Sequence, residues 1–169
     1  MKKVIIIALA IGAIVACQKN PIEKTATVDM AGDWYVTMDG YTEGAAPLVD
    51  PFNIGSFHII TANTAANIAT EMLLADTEDN SFWNFRCKIA ADPANLTFSA
   101  TDSKNFTYDD CTVTVTDGKI LKGVAKTPSG MPADSISFHI LFSDDNYAGT
   151  YWENIHVHGY RYTGMAADE

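Results

Sequence analysis

AGDWYVTMDG, residues 31–40, decides the fold. Trp34, Val36 and Met38 fall on one face of an extended chain, and Asp33, Tyr35, Thr37 and Asp39 fall on the other. A period of two is the signature of a half-buried strand; a helix would bring apolar residues back every three to four positions. The same alternation runs through the chain that follows. GSFHIITA pairs Phe57 with Ile59, and FWNFRCKIA aligns Trp83, Phe85, Cys87 and Ile89. NLTFSA aligns Leu96, Phe98 and Ala100, and SISFHILF aligns Ile136, Phe138, Ile140 and Phe142. EMLLA, CTVTV, KILKGVAK, YAGTYW and NIHVHGYRYTG complete the set, with Asp117-Gly118 expected as a hairpin turn between two of them. Only Thr64 to Thr70 hints at a helical turn. These ten short segments, read as eight or nine antiparallel strands with one apolar face each, imply an all-β sandwich or an up-and-down barrel. A barrel leaves no open sheet edge.

Counting by twos along the last strand puts Ile155, Val157, Gly159 and Arg161 on its apolar face. An inward arginine needs a partner. The ring of Trp34 offers one through a cation–π contact, and Gly32 leaves room for it. Gly-x-Trp at the start of the first strand, with a basic residue from the last strand over the ring, resembles the lipocalin and calycin pattern. That resemblance implies a lipocalin-like barrel whose closed floor is built from Gly32, Trp34 and Arg161.

Upstream, Lys2 and Lys3 precede an apolar run from Val4 to Ala16. The run has the length of a signal-peptide core and falls short of the ~20 residues that span a bilayer. It ends in Ile14-Val15-Ala16-Cys17, which resembles the lipobox of bacterial lipoproteins. The expected organisation is a lipoprotein signal peptide over 1–16, a lipidated Cys17 with a flexible tether over 17–29, and a barrel domain over 30–169. Acyl chains such as palmitate on Cys17 would hold the protein to the cell envelope, on the periplasmic or surface face of the outer membrane. With Lys2 and Lys3 removed from the 11 Lys+Arg, nine bases face 21 acids, a mature charge of −12. Such a chain repels nucleic acid, so no nucleic-acid partner is expected.

Beyond the barrel pattern, AGDWYVT, TANTAAN, FRCKIAADPANLTFS and HVHGYRYTGMAADE resemble a family of Bacteroidetes lipoproteins described as lipid-binding putative hydrolases. The resemblance runs from Ala31 to the C-terminus. It implies a small hydrophobic or amphipathic, lipid-like ligand inside the barrel, with the inward aromatics Phe57, Trp83, Phe85 and Phe138 as its binding residues. Two other readings stay open: a hydrolase acting on a lipid or ester, and a structural or accessory lipoprotein working through envelope protein partners.

Neither chemistry nor a cofactor is fixed by motif. There is no Gly-x-Ser-x-Gly. Ser56 with His58, and Ser137 with His139, point to one side of their strands, but to the outer side, where water is not excluded. No catalytic residue is therefore assigned. His156 and His158 would make a two-imidazole clip near His139, also outward, but spacing supplies no acidic ligand, so no metal and no cofactor are expected. ADTED and SDDN lack the spacing of a calcium loop. Cys87 and Cys111 face inward on strands separated by a third, so buried free thiols are expected, with a disulfide between them as the alternative in an oxidising compartment. The NTAAN segment, Asn63 to Asn67, is expected to hold a turn through its asparagine side chains, with a place at the mouth of a cavity as the alternative.

Overall fold

The computed structural model describes residues 24–77 and 82–168. The expected signal peptide, Cys17 and the first part of the expected tether lie outside the described residues. Nine strands run in chain order: β1 Gly32–Tyr41, β2 Leu48–Val49, β3 Phe57–Asn63, β4 Glu71–Asp76, β5 Arg86–Asp92, β6 Thr97–Lys104, β7 Thr112–Lys126, β8 Pro132–Phe142 and β9 Asn154–Arg161. From β3 onward each strand pairs antiparallel with the next, and β1 pairs with both β3 and β9. The result is a closed eight-stranded up-and-down barrel, with β2 as a short addition on the far half of β1. Among the described residues there is no α-helix, only one 3₁₀ turn at Ala166–Asp168.

Alternation builds the core. Trp34, Val36 and Met38 are buried on β1, and Ile155 and Val157 on β9. Phe57, Ile59, Leu74, Cys87, Ile89, Val113, Phe138 and Ile140 join them in one continuous cluster. Burying an aromatic ring in such a core is worth about 1.5–3 kcal/mol.

Three strand expectations are corrected. Asp117-Gly118 is not a hairpin turn. It is an irregularity inside the single long strand β7, where the register against β8 shifts between Thr116 and Lys119. Asp117 takes a left-handed backbone at φ 55°. One extra residue there moves the inward phase from Val113 and Val115 to Ile120. An Asp-Gly pair supplies left-handed backbone for a bulge as well as for a turn, and local sequence does not separate the two. YAGTYW is a turn with an isolated bridge between Ala148 and Trp152, not a strand. Finally, β5 begins at Arg86 rather than Phe82, because Asn84 is left-handed at φ 44° and breaks the extension. The phase that put Trp83 beside Phe85 therefore does not carry across Asn84.

Candidate functional site

The two ends of the barrel are closed by different means. At one end β1 begins and β9 finishes, and Trp34 lies directly opposite Arg161 in the ladder. The guanidinium carbon sits 4.3 Å from the indole centroid. Arg161 Nε donates to Asp134 at 3.1 Å, and Nη1 donates to the Ala31 carbonyl at 2.7 Å. Below the ring, Trp34 Nε1 donates to Thr61 at 2.8 Å, and the Thr61 hydroxyl donates to the Met30 carbonyl. A Cβ on Gly32 would collide with the Arg161 guanidinium. Partial burial pushes the Asp134 carboxyl up, but Lys122, the Gly123 amide and Arg161 together outweigh it and hold the group below the usual carboxylate range.

The NTAAN segment lies at this same floor. Asn63 accepts from the Thr27 hydroxyl and Asn67 accepts from the Ala26 amide, so the asparagines tie down the chain entering β1. Asn67 is left-handed at φ 50°, as its place in the turn requires.

The opposite end is closed by loops that carry aromatic rings. Phe52 comes from the β2–β3 loop, Phe82 and Trp83 from the β4–β5 loop, and Tyr147 and Trp152 from the β8–β9 loop. Trp83 stacks flat on Phe142 at 4.6 Å, and Phe82 stacks on Phe57 at 5.0 Å. Phe52 meets Trp83, Tyr147 and Trp152 edge-on or tilted. Two adjacent carboxylates pin these loops. Asp144 accepts from Trp83 Nε1, Tyr108 and Cys111, and Asp145 accepts from Trp152 Nε1 at 2.9 Å. Both lie in the SDDN segment, whose spacing excludes a calcium loop but does not by itself foretell these indole contacts. The signal available was the density of Trp and Tyr within a few residues of them.

Of the four aromatics expected to line a ligand site, Phe57, Phe85 and Phe138 are fully buried in side-chain packing. Phe85 touches Phe142, and Phe138 touches Phe98. Trp83 is half-buried at the mouth. Of five surface concavities, none is lined by Phe57, Trp83 or Phe138. Phe85 contributes to one of about 390 Å³ at the rim, with Asp76, Asn84, Arg86 and Phe106. A ligand reaching the three deep rings would have to move the mouth rings aside.

On the outer face of β1, β8 and β9 the histidines gather. His139 stacks on His156, and His156 lies beside His158, each pair with ring centroids 4.8 Å apart. Ser137 does not pair with His139, whose Nδ1 meets Asn154 at 2.7 Å. Its hydroxyl lies 2.9 Å from Nε2 of His156 on the neighbouring strand. The nearby Asp39 carboxylate meets His158 at 3.2 Å rather than orienting His156. His58 sits apart on β3 with its Nδ1 2.9 Å from Asp33.

Cys87 and Cys111 are buried free thiols. Burial, reinforced by Cys111, pushes the Cys87 thiol up to about 12, which keeps it protonated and unreactive.

No curated protein matches the chain. A family model described as "Lipid-binding putative hydrolase" matches residues 19–166. That span takes in the whole barrel, from the segment entering β1 to the turn after β9, and the chain belongs to this lipid-binding family.

Proposed function

We propose that this chain is a lipid-anchored envelope protein whose barrel takes up a lipid-like ligand beneath the aromatic loops of its mouth. The observation that carries the reading is the contrast between the two ends. The floor is stapled by charge and hydrogen bonds around Trp34 and Arg161. The mouth is covered by rings on loops, and the Trp83 indole is held there by a solvent-exposed hydrogen bond to Asp144 and by stacking. Stacked rings on loops can part and close again on an acyl chain, exchanging ring–ring contact for ring–lipid contact of similar apolar area. The family description supports a lipid ligand.

Uptake is tested by titrating the full-length protein with a fluorescent fatty acid. Saturable binding with Kd on the order of 1 µM, about −8 kcal/mol, is expected. Trp83→Ala should weaken it roughly tenfold through the loss of about 1.4 kcal/mol of ring contact. Absence of saturable binding to the wild type contradicts the reading. The anchor is tested separately: Cys17→Ser should release the protein from the membrane fraction or leave it unprocessed, whereas a correctly cleaved variant still held in the membrane refutes acylation.

The 2.9 Å contact between Ser137 and His156 favours a second reading, an ester hydrolase. A p-nitrophenyl ester assay distinguishes it. Turnover abolished by Ser137→Ala supports it, and turnover unaffected by that change removes it.

A further inference from the structure

We propose that Asp39, His156 and His158 form a binding site for one divalent transition-metal ion of the zinc class on the outer face of the barrel. Barrel closure is what assembles it. In the β1–β9 ladder Asp39 lies directly opposite His156, and His158 follows two residues along on the same face. One ligand atom from each of the three side chains lies within 4.8 Å of the others. All three residues are half-buried.

The donor set fits the class. Two imidazole nitrogens and one carboxylate oxygen suit borderline ions such as Zn²⁺, whereas calcium and magnesium call for oxygen alone. Zinc–ligand bonds of about 2.0–2.2 Å in a tetrahedron place donor atoms roughly 3.3–3.5 Å apart. His158 Nε2 and Asp39 Oδ2 already stand 3.2 Å apart. His156 has only to turn its ring inward by an ångström or so, on the order of a small side-chain rotation.

The surroundings orient the set. His139 stacks on His156 and is itself fixed by Asn154 and by the edge of Tyr41. The Ser137 hydroxyl lies 2.9 Å from Nε2 of His156 and steadies that ring, and a water can fill a remaining coordination position.

The test uses untagged full-length protein in detergent, titrated with Co²⁺ and then with Zn²⁺. One saturable equivalent with visible d–d absorption, bleached by Zn²⁺, is expected. His156→Gln and Asp39→Asn should each weaken binding roughly tenfold or more. A measurement on the wild type alone guards against a variant that folds poorly. Zn²⁺ should shield His156 and His158, but not His58, from acylation by diethyl pyrocarbonate as read by mass spectrometry. Equal labelling of His58, His156 and His158 with and without Zn²⁺, or Co²⁺ binding lost only on replacing Cys87 and Cys111, overturns the site.

Discussion

Arg161 occupies an inward position on β9 where a leucine would otherwise suffice, and three partners hold it there: the Trp34 ring, Asp134 and the Ala31 carbonyl. A guanidinium over an indole contributes about 0.5–2 kcal/mol. A double-mutant cycle with Trp34→Phe and Arg161→Met, read by chemical denaturation, should give a coupling above about 0.5 kcal/mol. Arg161→Lys should not restore it, because an ammonium lacks the plane that stacks and the fork that reaches both Asp134 and Ala31. Coupling near zero would leave Arg161 a bystander. This pair was legible in the sequence, because strand parity from Ile155 to Arg161 and from Trp34 to Met38 sends both side chains inward, and first and last strands of a closed meander are neighbours. Trp83 was not legible in the same way. Its phase depends on Asn84 staying extended, and a left-handed Asn at φ 44° is a choice made by the packing of Phe82 and Trp83 on Phe57 and Phe142. Nor was Asp39 legible as a partner of His158, 119 residues away, because only the β1–β9 register brings them together.

At the scale of elements, closure depends on how tightly β9 can lie against β1. A Cβ on Gly159 would run into the Tyr35 carbonyl and the Val36 backbone, neither of which can swing aside as a side-chain tip can. Gly159→Val should therefore cost about 3 kcal/mol or more, by forcing apart the two strands that close the barrel. Thermal denaturation measures it, and a loss under about 1 kcal/mol would mean that the β1–β9 seam is looser than its register implies. Most of the strands, and the order in which they pair, were readable from alternation, but not the continuity of β7 through Asp117-Gly118 or the turn that takes the place of a strand at Ala148 to Trp152. Nor were the registers. The irregularity at Asp117-Gly118 shifts the inward phase of β7 by one residue, and Gly118 is needed there because a side chain would strike Phe98. A local sequence pattern carries no record of such a collision across strands. The two-residue β2, exposed at both Leu48 and Val49, has no alternation to reveal it.

For the molecule as a whole, two carboxylates of the floor contribute to how the barrel responds to acid. Asp168 accepts hydrogen bonds from the Ser129 amide and the Thr163 hydroxyl, and these hold its carboxyl far below the usual range; Asp134 is held low by Lys122, Gly123 and Arg161 against the opposing effect of burial. A carboxyl whose folded pKa is depressed stabilises the fold fully above its unfolded value and loses that contribution as pH falls through the folded one. The melting temperature should therefore stay level from pH 7 to about 5 and fall progressively below about 4. Asp168→Asn should start lower at pH 7 and fall less steeply in acid. A wild type whose melting temperature does not change down to about pH 2 would contradict this assignment.

On the proposed reading, the barrel holds a lipid without a covalent bond, reached through the aromatic mouth. Native mass spectrometry of the full-length protein, released from the membrane in mild detergent, tests it most directly. A lipid-sized increment should appear under native conditions, vanish on denaturation as a covalently attached group would not, and return when stripped protein is incubated with a lipid extract. Trp83→Ala should lower the occupied fraction. A wild-type protein whose native and denatured masses agree, and which takes up nothing on reloading, would show that the barrel holds no such ligand.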